Sequence, residues 1–328
     1  RRAGRPARRG ERTAGPPRPG QPAADSPSCT DATVRVSRPG LNPCPGGTKS
    51  TMDTSWDTLH AAEHFVARNA RLLDRYRYAH HFQSEPPHAA RAVLDAHRNV
   101  DGGYGNALDP ELRGHGSQPL ATALALRLLD ELGALPADTA RAACRYLTSV
   151  TRPDGGVPPV LPAVRHTEAA PWWREHRDFA SALNPTATIA GLLHKHRVTD
   201  PWRDRASAFC WSRISALNWT DPEEADAVCT FLQYAPDQER ARAELARLAP
   251  MIRAVVPLDP AAQGRAHTPL DLARRPDDLA RTLFTDAEID AHLDALQAAQ
   301  QPDGGWPLRR PWAAGPDAER RGALTVSR

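Results

Sequence analysis

Read along the chain, the apolar positions fall at helical spacing. Over residues 58–82 they are Leu59, Ala62, Phe65, Val66, Ala70, Leu73 and Tyr76, a 3.6-residue period that predicts one amphipathic helix. Similar text covers 87–98, 118–133, 137–150, 184–197, 202–217, 223–235, 238–253 and 286–300. No stretch alternates apolar and polar residues as a strand would. Helices of this length joined by short Gly/Pro turns predict an all-α fold of helix hairpins.

A repeat punctuates the helices. Asp101-Gly102-Gly103-Tyr104, Asp154-Gly155-Gly156-Val157 and Asp303-Gly304-Gly305-Trp306 each follow an apolar helix by a similar gap. The first two lie 53 residues apart and the last two 149 apart, near three such units. Degenerate copies are expected near 217–221 and 255–259. Repetition on this scale means units that bury their apolar faces only against one another. Within a unit, proline (Pro153, Pro302) stops the helix, Asp accepts hydrogen bonds in its own turn, and Gly-Gly permits positive φ. The next residue, aromatic or branched, pins the turn onto the following pair. Gly116-Ser117-Gln118-Pro119 and Leu183-Asn184-Pro185-Thr186 then open small-residue apolar helices, with Ser or Asn expected as cap and Pro setting the first turn. Those helices suit an inner layer, and the more charged ones an outer layer.

At these residues the chain resembles the terpenoid cyclase and protein prenyltransferase family, whose glutamine–tryptophan repeat reads Gln, a few residues, Gly, any residue, Trp. Gln300-Gln301-Pro302-Asp303-Gly304-Gly305-Trp306 fits it, while the copies at Asp101 and Asp154 are weaker. His267-Thr268-Pro269-Leu270-Asp271-Leu272-Ala273 is similar to a run in actinobacterial toroid proteins of unassigned function. The resemblance implies an α/α toroid, incomplete at its C-terminal end, whose central cavity receives an isoprenoid or another apolar ligand. It implies a cyclase or transferase if the protein is an enzyme. The departures leave two other readings open: a non-catalytic binding or scaffold toroid, and a toroid glycosidase or lyase. The Asp-x-Asp-Asp acid of the class II cyclases is missing, Pro276-Asp277-Asp278 being the nearest string. The Asp/Cys/His zinc set of the prenyltransferases has no counterpart, so no metal or cofactor is expected.

Composition redraws the boundaries. Residues 1–51 hold nine Arg, nine Pro and seven Gly, with few aliphatic residues, and are expected to be a disordered tail upstream of a true start at Met52. A basic nucleic-acid arm is the rival reading. The whole chain carries +3 and this tail +7, so residues 52–328 carry −4 and give no reason to expect nucleic acid as a partner. Residues 52–306 are assigned to the helical domain. Residues 307–328 are read as an irregular tail, truncated or frame-shifted. The run 120–135 is broken by Arg127, Asp130 and Glu131 and cannot span a bilayer, so the cytoplasm is the expected compartment. Cys144, Cys210 and Cys229 sit in helical text and read as buried thiols.

Candidate chemistry lies between the first Asp-Gly-Gly turn and the helix after it. Asp109, Glu111 and His115 would face one mouth of a toroid, where a general acid or ligands for a phosphate-bound metal would sit; a solvated loop is the plainer reading. Asp271 is either a polar group lowered into the ring or a helix cap. Tyr104, Trp172 and Trp173, with Trp306, could line an apolar or cationic site, although structural packing is the plainer reading of these rings. His60-Ala61-Ala62-Glu63-His64 spells a zinc-peptidase pattern with no third ligand in view. His194-Lys195-His196 ends a helix where cations complement its dipole.

Overall fold

The three Asp-Gly-Gly turns fold identically. In the computed structural model, which describes residues 51–133, 135–262, 267–308 and 317–328, the first glycines Gly102, Gly155 and Gly304 have φ of +93°, +95° and +92°. In each turn the aspartate Oδ1 accepts from the second glycine's N–H, at 2.9, 3.2 and 3.1 Å. The N–H of the residue two before the aspartate donates to the second glycine's carbonyl, at 2.9, 2.8 and 2.9 Å. The next residue, Tyr104, Val157 or Trp306, is buried and donates its N–H to a threonine hydroxyl of the helix that follows. Those acceptors are Thr122 (3.1 Å), Thr186 (3.0 Å) and Thr325 (3.2 Å).

Helices connect these turns. They are α1 (Thr51–Asn69), α2 (Leu72–Phe82), α3 (His88–Asp95), α4 (Pro119–Glu131), α5 (Ala137–Val150), α6 (Pro171–Arg174), α7 (Leu183–Lys195), α8 (Pro201–Ser215), α9 (Pro222–Tyr234), α10 (Gln238–Val255), α11 (Pro269–Leu272), α12 (Asp286–Ala298) and α13 (Asp317–Ser327). Two 3₁₀ segments, Pro162–His166 and Leu279–Leu283, join them. Among the described residues there is no strand, only isolated bridges such as Leu112 with Ala169. The fold is all-α, as the periodicity predicts.

The main core runs through α4, α7 and α9, whose small side chains allow close approach. A Cβ at Gly191 of α7 would stand 2.6 Å from the Thr230 carbonyl oxygen of α9. Ala121, Ala125, Ala187, Ala190 and Ala227 are fully buried alongside. These are the inner, apolar helices. Charged α8 and α10 each bury one face, while α12 buries only His292.

Each turn docks onto a helix distant in sequence, the first two onto later helices and the third back onto the first. Gly102 lies against the Ala142 carbonyl of α5, Gly155 against that of Arg205 in α8, and Gly304 against that of Ala61 in α1. Four residues on, an aromatic ring covers the second glycine: Tyr146 over Gly103, Phe209 over Gly156 and Phe65 over Gly305. The last turn therefore seats on the first helix as its two predecessors seat on α5 and α8. Gln300 ties this contact, its Nε2 donating to Thr58 O and Gly304 O at 2.9 Å each.

Several expectations need correction. The predicted single helix over 58–82 is two, because Arg71 is extended (φ −62°, ψ 157°). Neither Gly nor Pro marks that break. A local bond and a tertiary contact meet there: Asn69 Nδ2 donates one turn back to Phe65 O at the end of α1, and the Arg71 guanidinium donates to the distant Ala107 and Leu108 carbonyls. Ser117 does not cap α4; its hydroxyl donates to Asp101 Oδ1 (2.8 Å), as Ser181 does to Asp154 (2.6 Å). In the third turn Arg321 takes that place, donating to both Asp303 oxygens at 2.8 Å and stacking on Phe65. The degenerate copies link outer to inner helices without a glycine turn; Asp221 instead caps α9, accepting from Glu224 N–H at 2.7 Å. Residues 317–327, read as irregular, form α13, which supplies Thr325 and Arg321 to the third turn. The 1–50 tail and residues 309–316 lie outside the described residues.

Candidate functional site

Two loops build one end of the inner helices. Residues 105–118 follow the first turn and 158–182 the second. They pair through Arg113 N–H to Glu168 O (2.8 Å) and Ala170 N–H to Glu111 O (2.9 Å). This pairing brings together the sequence candidates of both loops. Glu111 Oε2 accepts from the indole N–H groups of Trp172 (3.2 Å) and Trp173 (2.9 Å). Asp109 Oδ1 accepts from Glu111 N–H at 2.8 Å, the turn-forming bond of the plainer reading. Its environment goes further. Burial, then the neighbouring Glu111 charge, raises the Asp109 carboxyl to about 6, only partly opposed by the Glu111 N–H bond and by the Arg320 and Arg71 charges. A carboxyl poised near neutrality can hold a proton and release it.

That shift makes a prediction. An acid whose folded pKa is raised binds more protons when folded, so its penalty is felt above about pH 6 and disappears as pH falls through 3.8. Asp109→Asn is expected to raise stability at pH 8 by about 2 kcal/mol and to have little effect near pH 3.5. Urea denaturation at the two pH values checks this; an equal effect at both would refute it.

The other candidates fall elsewhere. Tyr104 is fully buried in the main core, so its ring packs and does not line an accessible surface. His115 is exposed, with Nδ1 3.4 Å from Asn106 Oδ1. His60 and His64 lie on the exposed side of α1, and Glu63 between them accepts from Gln83. Lys195 and His196 clasp Asp130 of α4, tying the C-terminal ends of two inner helices. Asp271 is the helix cap of its second reading. Its Oδ2 accepts from the Thr268 N–H and hydroxyl (2.8 Å each), forming a capping box, while Oδ1 accepts from Arg328 of α13 at 3.0 Å.

Asp271 lies beside a charged network on which the inner helices converge. Asp226 of α9 accepts from Arg127 of α4 (2.6 Å) and from Arg274, just beyond α11 (3.0 Å). Arg127 also donates to Thr188 of α7 at 3.0 Å. Burial would raise the Asp226 pKa; the Arg127 and Arg274 charges outweigh it and hold the carboxylate below its ordinary range. Burial lowers the Arg127 pKa, with Asp226 opposing. A second cluster closes the far end of α4. Arg77 of α2 grips Glu131 with Nε (3.0 Å) and Nη2 (2.8 Å), and His81 adds a 2.7 Å bond. Burial works against the Glu131 charge, but the His81 and Arg77 bonds prevail and take it to about 2.

Arg127, Asp226, Arg274 and Arg328 are absent from the sequence candidates. A signal existed for two of them: Arg127 interrupts an apolar run, and Asp226 sits inside Ala225-Asp226-Ala227-Val228-Cys229. A charge within a helix that is otherwise buried needs a partner, but the text does not say which.

No family model matches the chain, and no curated protein matches it. Among solved structures, one of a protein from Actinoplanes is similar, with 18% identical residues and a TM-score of 0.53, covering 83% of this chain and 98% of that one. At that identity the likeness is one of fold alone.

Proposed function

We propose that the hairpins close into an α/α toroid of the terpenoid cyclase and prenyltransferase kind, and that its hollow receives an isoprenoid or another largely apolar ligand. One observation carries the reading: the third turn docks on α1 by the same contacts that seat the first on α5 and the second on α8. Units that return to their own start leave a common hollow between the inner helices. The ligand's polar end would face Arg127 and Arg274, and Asp109 would serve as proton donor at the mouth, its raised pKa suiting that role. The resemblance supplies the ligand class, so this is a fold-level argument.

A non-catalytic toroid is the second reading. It is favoured by Asp271, whose two oxygens are engaged by Thr268 and Arg328, and by Asp226, held between two arginines. A panel of geranyl, farnesyl and geranylgeranyl diphosphates and squalene separates the two. An enzyme converts at least one member, and Asp109→Asn keeps binding while losing turnover. Binding without conversion supports the second reading. No thermal shift with any member removes the isoprenoid reading and leaves the second only its scaffold form.

A further inference from the structure

One stripe of the inner helix α4 stays open while the rest is enclosed. From Pro119 to Leu129 every residue is buried except Leu120, Leu124 and Arg127, which are half-buried. Spacings of four and three put these three on one face, over a length of about 10 Å. Leu120 packs beside Leu112, Val160 and Trp173, so the stripe starts at the two loops that carry Asp109 and Trp173. It ends at the Arg127 guanidinium. A helix closed on its other sides that leaves two leucines half-open borders a space that a carbon chain would fill.

The charge at the end of that stripe is not balanced. Asp226 offers one carboxylate to two guanidiniums, Oδ2 to Arg127 and Oδ1 to Arg274. Arg127 uses Nη2 alone, shared between Asp226 and Thr188, and Arg274 also uses Nη2 alone. Among the described residues, the Nε and Nη1 donors of both meet no acceptor, and solvent reaches the side chains, which are 25% and 53% exposed. The other acids that act on the pair have cations of their own. Asp130 holds Lys195 and Asp271 holds Arg328, while Asp278 accepts the N–H of Arg275, itself an exposed cation. Two guanidiniums on one carboxylate leave a surplus of one positive charge. Burial outweighs Asp226 at Arg127, so that group gains most from a second anion.

We infer that the ligand of the hollow is a monocarboxylic acid, its carbon chain along Leu120 and Leu124 and its carboxylate completing the Arg127–Asp226–Arg274 set. This assignment rests on the toroid reading and names the head group that reading leaves open. A single carboxylate matches a surplus of one charge; a diphosphate exceeds it, and an alcohol supplies none. The probes are geranate, geraniol and geranyl diphosphate, one chain with three heads, titrated calorimetrically near neutral pH. Geranate should bind about tenfold more tightly than geraniol and no more weakly than the diphosphate. Arg274→Gln should abolish the acid's advantage over the alcohol, because Arg127 and Asp226 then balance each other. Position 274 is half-exposed, so the variant keeps its fold, which its thermal transition checks. Leu124→Gln should weaken acid and alcohol alike. Three results overturn the carboxylate and leave an apolar hollow standing: equal binding of acid and alcohol, tighter binding of the diphosphate, or an advantage that survives Arg274→Gln. Unchanged binding in a folded Leu124→Gln protein overturns the placement of the chain. Binding of none of the three probes removes the apolar hollow and the acid together.

Discussion

Gly304→Ala is expected to lower the unfolding free energy by about 3–5 kcal/mol, the sum of a strained backbone and an overfilled contact. Two separate faults arise. At φ +92° an L side chain is strained whatever the space around it. The new Cβ would also drive into the Ala61 carbonyl oxygen and lie 3.1 Å from Ala61 Cα, both backbone atoms of α1 that cannot rotate away. Gly133→Ala separates the two terms. It too has positive φ (+76°), but no atom lies within 4 Å, so only strain remains, about 1 kcal/mol. Gly155→Ala should fall between them, since its Cβ would stand 3.0 Å from the Arg205 carbonyl oxygen. Chemical denaturation of the three variants checks the order 304, 155, 133. A Gly304→Ala protein as stable as Gly133→Ala would mean that the last turn does not seat on the first helix in solution.

The second large effect is at Asp226. Asp226→Asn keeps the shape but leaves Arg127 without its opposing charge inside the helix layer, and should cost about 3 kcal/mol. Arg274 matters less, because its side chain is 53% exposed and can turn to water. A double-mutant cycle distinguishes lost pairing from lost packing: Arg127→Met with Asp226→Leu should be less destabilised than the two single changes added together. Simple additivity would refute the pairing. The pH dependence has a definite sign. Carboxylates with folded pKa values below their unfolded ones stabilise the protein above the unfolded value, and that contribution is lost as pH falls. For Glu131 the loss runs from about pH 4.5 down to about 2, and Asp226 acts in the same direction. Asp226→Asn and Glu131→Gln should therefore flatten the acid limb of the stability curve, opposite to Asp109, whose removal acts at neutral and higher pH.

What could be read from the text, and what could not, divides by distance along the chain. The 3.6-residue period placed α3, α4, α5, α7, α8, α9, α10 and α12 within a few residues of where they lie, because a helix is made by neighbours three and four apart. The Asp-Gly-Gly turns were legible for the same reason, since the Asp bond to the second glycine spans two residues. The Asp109–Glu111 pair was also within reach, being one loop. Folding alone joined that loop to Trp172 and Trp173, 61 and 62 positions away. The partners of Asp226 lie 99 and 48 positions off, and Asp271 meets Arg328 across 57. The break at Arg71 is likewise held from Ala107 and Leu108, and nothing at residues 70–71 announces it. Side-chain period tells which face of a helix is buried; it says nothing about which other helix will cover that face. Charges placed among apolar residues show only that some partner must exist, and three-dimensional packing selects it.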